Sequence, residues 1–278
     1  MEQKDQDMFE KTRKFNSNIR LYMFQTGTIK TRLKFIKMNQ TDEPYEIPIP
    51  WFLIKHPEGD VMIDGGIPIE AAIDKHAHWG SVIEAYDPVL KISENCVEQA
   101  KSVRTDPSDI KYVIQTHLHL DHSGAIGHFP NATHVTQRTE YDYAFNPDWF
   151  SSPAYIRADF DKPNIRWKFL QGRKTDFYDL YGDGVIKIIY TPGHTPGHQS
   201  VLVNLPKTGN ILFTGDACYT CDHWEHKCLP GLVTSSSQAA ESVKKLRRVA
   251  KENNAMVVWG HDPVAWLDFK KAPMFYYE

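Results

Sequence analysis

THLHLDHSG, residues 116–124, follows directly on the apolar run YVIQ at 112–115, and the rest of the chain is best read outward from it. Within six residues stand His117, His119, Asp121 and His122. A strand that runs out into a loop lets alternate side chains face one point, so His-x-His aims two imidazoles together. The Asp-His pair that follows can turn towards a second point nearby. Imidazole nitrogen and carboxylate oxygen suit zinc and other divalent transition metals. A lone histidine here would read as an ordinary hydrogen-bonded core or surface residue; four ligand-type side chains packed this closely point to metal.

Three more such residues recur at the ends of later apolar runs. His194 lies in TPGHTPGHQS (191–200) after VIKIIY (185–190), Asp216 in FTGDA (213–217) after NILF, and His261 in WGHD (259–262) after MVVW. Seven candidates exceed the needs of one tetrahedral ion and suit two ions that share a bridging carboxylate, with a water or hydroxide between them. One metal lowers the pKa of bound water from about 15.7 towards 7, and a second polarises the bond under attack. The pattern predicts a binuclear hydrolytic site.

The 278 residues are enough for one large α/β or sandwich unit, and a single domain spanning 1–278 is the economical reading. A 41% hydrophobic and 24% charged composition excludes wholesale disorder. The net charge of −3, with Lys and Arg scattered, argues against a nucleic-acid partner, which needs a concentrated cationic face. No run approaches the ~18 apolar residues of a membrane span. MEQKDQDMFEKTRK at the start lacks the apolar core of a signal peptide, and residues 1–17 read as a loose tail. Cys96, Cys218, Cys221 and Cys228 are too few for a disulfide scaffold. A cytoplasmic protein with no membrane partner is expected.

Apolar, β-branched runs at 51–55, 61–64, 112–115, 185–190, 200–204, 210–214 and 256–260 predict strands, with Pro57-Glu58-Gly59 turning a hairpin between the first two. Residues 237–253 predict a helix, because Ala240, Val243, Leu246, Val249 and Ala250 recur every three to four positions. A second helix is expected over 94–103. The stretch 141–167 is rich in aromatics, which either pack as core under a loop or wall an apolar pocket. CYTCDHWEHKC at 218–228 offers a second, weaker metal pattern. Its Cys-x2-Cys-x4-His spacing opens like a zinc knuckle, but Cys228 follows after one residue instead of four.

Five motifs in this order and spacing, VMIDGG (61–66), THLHLDHSG, YTPGHTPGHQS (190–200), FTGDA and WGHD, resemble those of the metallo-β-lactamase superfamily over nearly the whole chain. The resemblance implies an αββα sandwich with a binuclear metal site at one edge of the two sheets. It implies that His117, His119 and His194 hold one metal and Asp121, His122 and His261 the other, with Asp216 bridging and Asp64 in support. Zinc is the expected ion, with Fe, Mn or Co as the other possibilities.

Within the superfamily three features resemble the N-acyl homoserine lactonases: Tyr219 in GDACYT, the segment VTQRTEYDYA at 135–144, and the ending GHDPVAW at 260–266. That likeness implies opening of the lactone ring by a bridging hydroxide. Tyr219 and one metal would stabilise the oxyanion, the other metal would take the ring oxygen, and Asp121 would move a proton to the leaving alkoxide. Tyr219, Phe35, Met38 and Phe150 are the candidate substrate contacts, and a homodimer is implied. The alternative is another ester, lactone or thioester hydrolase of this fold, pyridoxolactonase-like or glyoxalase-II-like. The second of these usually carries a C-terminal substrate domain, whereas only seventeen residues follow His261.

Overall fold

The computed structural model describes residues 19–278, so the expected tail at 1–17 lies outside the described residues. β1 (Arg20–Arg32) and β2 (Pro44–Lys55) form a long antiparallel pair joined through a one-turn helix, α1 (Leu33–Ile36). β3 (Asp60–Ile63) returns antiparallel to β2 across the predicted Pro57-Glu58-Gly59 turn, where the Gly59 amide donates to the His56 carbonyl at 3.0 Å. There follow α2 (Ile69–Trp79), β4 (Asp87–Val89), α3 (Cys96–Ser102), β5 (Ile110–Ile114), β6 (Thr133–Gln137), α4 (Arg138–Phe145), α5 (Arg157–Phe160) and β7 (Arg166–Leu170). The second half comprises β8 (Tyr178–Asp179), β9 (Ile186–Tyr190), β10 (Gln199–Leu205), β11 (Gly209–Phe213), α6 (Cys221–Trp224), α7 (Ser236–Glu252) and β12 (Met256–Val258).

Among the described residues the strands form a seven-stranded sheet in the order β4-β1-β2-β3-β5-β6-β7 and a five-stranded sheet in the order β12-β11-β10-β9-β8. Side-chain alternation with a period of two explains how they stack. Phe52 and Ile54 of β2 meet Val201, Val203 and Phe213 of the other sheet in the central core, while Trp51 and Leu53 point outward under α3 with Cys96 and Ala100. Leu202 and Leu212 point the other way, onto Leu246, Val249 and Ala250 of α7. Both sheets are therefore covered on both faces, which is why their central strands carry apolar runs. The layers are helix, sheet, sheet, helix, as the αββα expectation required.

All seven predicted runs are strands. β1 escaped the reading: its alternation is broken where Gln25-Thr26-Gly27-Thr28 shifts register against β2. Gly27 sits at φ +79, and an added Cβ would lie 2.2 Å from the Val89 carbonyl oxygen, so β4 could not approach any other residue there. β2 also begins earlier than predicted. Pro44, Pro48 and Pro50 are tolerated because only Phe52–Ile54 pair with β3, so the first half of β2 has a neighbour on one side alone. α7 matches the predicted 237–253 to within one residue at each end, opening on Ser235, and α3 falls inside 94–103 with Asn95 capping the Val97 and Glu98 amides.

Candidate metal centre

β3, β5, β6 and β7 run parallel, so the residues after β3 and β5 emerge at one edge of the sandwich. His117, His119, Asp121 and His122 follow β5, and Asp64 follows β3. His194 follows β9, Asp216 follows β11, and His261 follows β12. All eight side chains are buried.

Their ligand-type atoms gather in two groups that could each hold a metal ion: His117, His119, His194 and Asp216 in one, and Asp121, His122 and His261 in the other. In the first, His194 Nε2 lies 3.2 Å from His117 Nε2 and 3.0 Å from His119 Nδ1. Asp216 joins the groups through separate oxygens. Its Oδ2 lies 3.5 Å from His117 Nε2 and 3.3 Å from His194 Nε2, and its Oδ1 lies 3.4 Å from His122 Nε2 and 3.2 Å from His261 Nε2. Asp121 completes the second group, with oxygens 3.7 Å from His122 Nε2 and 3.5 Å from His261 Nε2.

The far side of the histidines fixes which nitrogen is offered. His194 Nδ1 donates to the Leu232 carbonyl at 3.0 Å and His261 Nδ1 to the Pro48 carbonyl at 2.9 Å. His122 Nδ1 lies 2.8 Å from Asp64 Oδ2. Each therefore turns Nε2 to the cluster. Asp64 sits at φ +56, a left-handed conformation unusual for aspartate. Its carboxylate also accepts from the Thr116 amide at 2.7 Å and hydroxyl at 2.8 Å, which hold it in that conformation.

Burial, reinforced by the neighbouring histidines, keeps His117 and His119 far below the ordinary imidazole pKa, so both stay neutral, the form that ligates. Burial opposes charge on Asp216 too, but His122 and His261 outweigh it and hold the carboxyl well below its usual range. The buried His122 Nε2, His261 Nε2 and Asp216 Oδ1 have no hydrogen-bond partner among the described residues. Leaving such atoms bare costs about 1–3 kcal/mol each, and a divalent cation between them would satisfy all three. The donor set, nitrogen and oxygen with no thiolate, fits Zn, Fe, Mn or Co.

A narrow cavity opens on the cluster, lined by His119, Asp121, Asp216, Tyr219 and His261 together with Ile29, Ile36, Ile47, Tyr86, Leu120, Ala154 and Leu232. Tyr219 stands where expected, its hydroxyl 3.3 Å from His194 Nδ1. The other three predicted contacts are elsewhere. The single turn of α1 sends Leu33 and Ile36 inward and leaves Phe35 half-buried against Tyr86, ring centroids 5.6 Å apart. Met38 lines a separate surface hollow with His226 and Cys228. Phe150 is partly exposed, edge-on to Trp149. Tyr86, Ile29 and Ile47 are thus wall residues that the pattern missed. His198 was also missed: its Nε2 accepts from the Asp216 amide at 2.9 Å and so fixes the backbone that carries the Asp216 carboxylate. The second histidine of GHTPGH was its only signal.

Among the described residues the Cys/His pattern at 218–228 gathers no ligand group. Cys218 is buried, and His223 spends Nδ1 accepting from the Thr220 amide at 3.1 Å and Nε2 donating to the Ile36 carbonyl at 3.2 Å. Burial pulls its pKa down to about 4.

A two-sheet sandwich flanked by helices, with His-x-His-x-Asp-His after a parallel strand and an aspartate shared between two histidine sets, defines a metallo-hydrolase class. The metallo-beta-lactamase superfamily model matches residues 45–261, and the chain belongs to that superfamily. It is 57% identical over 261 residues to the N-acyl homoserine lactonase AttM of Rhizobium radiobacter, covering 94% of this chain and 99% of the relative. A Bacillus N-acyl homoserine lactonase is 31% identical over 247 residues, covering 87% and 93% respectively. A solved B. thuringiensis AiiA variant with N-decanoyl-L-homoserine bound at the active site superposes with a TM-score of 0.82 at 27% identity, covering 93% of this chain and 98% of that one. Within the superfamily, the chain belongs with the N-acyl homoserine lactonases.

Proposed function

We propose that this chain hydrolyses the ring ester of N-acyl homoserine lactones to N-acyl homoserines, using two divalent metal ions, zinc foremost, held by the two groups around Asp216. The observation that carries the reading is the division of the Asp216 oxygens between the two histidine sets at the mouth of an apolar-walled cavity. The activity named for the 57%-identical relative supports the choice of substrate. Bound ions would supply Lewis acidity and a water acidic enough to ionise near neutral pH.

The chain's own groups do the rest. Burial, with Asp216 beside it, holds the Tyr219 phenol well above its ordinary pKa, so it stays protonated. His194 Nδ1 already donates its proton to Leu232, so Tyr219 does not donate there and keeps its own proton for the cavity. It is placed to donate to the lactone carbonyl oxygen as that becomes an oxyanion. Asp121 lines the same cavity and is placed to carry a proton to the departing ring oxygen. The Tyr86 side chain lines the same cavity. It offers a hydrogen bond to the substrate's amide, while Ile29, Ile36, Ile47 and Leu120 take the acyl chain.

The test is Asp216→Asn. It should lower metal content from two ions per chain and cut ring opening by about a thousandfold, the several kcal/mol a metal supplies. Full metal content with normal turnover would overturn the assignment.

A further inference from the structure

Glu140 on α4 has no exposed surface, yet its carboxylate lies inside the protein with four donors around it. Oε1 accepts from the Leu118 amide at 3.1 Å and the Tyr155 hydroxyl at 3.0 Å. Oε2 accepts from the Thr195 hydroxyl at 2.6 Å and the Gly197 amide at 3.2 Å. Leu118 stands between His117 and His119, and Thr195 is the next residue after His194. One carboxylate therefore joins the two separate loops that supply the three histidines of the first group. Tyr155 adds a third tie, its ring edge-on to His119 with centroids 4.6 Å apart.

We infer that Glu140 is a positioning residue for the first metal group: it sets the distance between the β5 loop and the β9 loop, and so the bite of His117 and His119 against His194. A buried carboxylate without a cationic partner is costly, and burial raises its pKa while the four hydrogen bonds counter that. Simple core packing does not need such a group, since an apolar side chain would fill the space. The geometry also says why glutamine cannot replace it. Two of the donors are hydroxyls that can rotate, but the Leu118 and Gly197 amides cannot. One of them faces each oxygen, so the NH2 of a glutamine meets a fixed N–H whichever way it turns.

This inference rests on the ligand assignment proposed above, and the experiment separates the two. Wild type, Glu140→Gln and Tyr155→Phe are compared by zinc competition against a chromophoric chelator and by the ligand-field spectrum of the cobalt-loaded protein. Unfolding of the metal-free forms is followed alongside. Glu140→Gln should weaken binding of one ion by about 10- to 100-fold, the usual effect of removing a group that orients ligands, and shift the cobalt bands. Tyr155→Phe, which leaves three of the four donors, should fall between it and wild type. Wild-type affinity and an unchanged spectrum in Glu140→Gln, with only metal-free stability reduced, would overturn the role. If Glu140→Gln does not fold, unchanged affinity and spectrum in Tyr155→Phe and Thr195→Val would overturn it equally. A wild type that binds no metal would sink the ligand assignment itself, and this inference with it.

Discussion

Replacing Tyr219 by phenylalanine isolates the phenol. The ring is buried, so its apolar packing survives the change almost intact. The hydroxyl makes one long contact, 3.3 Å to His194 Nδ1, and that nitrogen keeps a better partner in the Leu232 carbonyl at 3.0 Å. The cost to folding should therefore stay below about 1 kcal/mol, and metal content should not change. Turnover is another matter. Removing one oxyanion donor costs about 10²–10³ in kcat where donors act alone. Two Lewis-acidic ions would share the charge here, so about 10- to 100-fold is expected, equivalent to about 1.4–2.7 kcal/mol. The assay is proton release during lactone opening, with metal content measured on the same samples. An unchanged kcat/KM with full metal content would remove Tyr219 from the chemistry. Activity lost in proportion to metal would show that it acts through His194 instead.

Tyr86→Phe should raise KM for N-acyl homoserine lactones about tenfold, the value of one hydrogen bond of about 1.4 kcal/mol, with kcat little changed; a fall in kcat at constant KM would contradict the binding role. The double variant Cys221→Ser, Cys228→Ser should keep wild-type metal content and activity, since those sulfurs gather no ligand group among the described residues; loss of an ion would revive a zinc site in the 218–228 loop. His134 is buried against Trp167, and burial pulls its pKa from 6.5 down to about 3. The unfolded chain takes up this proton first as pH falls, so the contribution is complete above 6.5 and is lost on acidification at up to about 1.4 kcal/mol per unit. His134→Gln should flatten the acid limb of metal-free stability, measured as the urea midpoint against pH; an equally steep limb would remove His134 as a source.

The two clusters of ligand-type residues were legible because chemistry and topology coincide: they follow apolar runs, and parallel strands bring such ends to one edge. The central strands were legible for a related reason, since β3, β5, β10 and β11 are covered on both faces and carry the apolar runs Val61–Ile63, Tyr112–Ile114, Val201–Val203 and Ile211–Phe213. β1 was not, because the Gly27 bulge that lets β4 approach also breaks its alternation. α2 was hidden by its own irregularity at Asp74, where φ −152 and ψ 93 interrupt the helix. The pocket wall was the least legible part. Phe35 and Ile36 are neighbours in sequence, and only the direction in which α1 turns decides that Ile36 lines the cavity. Glu140 and His198 carry only weak signals, one inside VTQRTEYDYA and the other the second histidine of GHTPGH, since a glutamate on a helix and a histidine after glycine are ordinary until the loops they tie are seen in space.

The most direct test of the central claim is lactone opening by the purified, metal-loaded protein, followed by proton release near neutral pH across short- and long-chain N-acyl homoserine lactones, with a pyridoxolactone and a thioester alongside. The account predicts fast opening of the homoserine lactones that a chelator abolishes and added metal restores. Silence on every homoserine lactone, with turnover of the pyridoxolactone or the thioester, would contradict it.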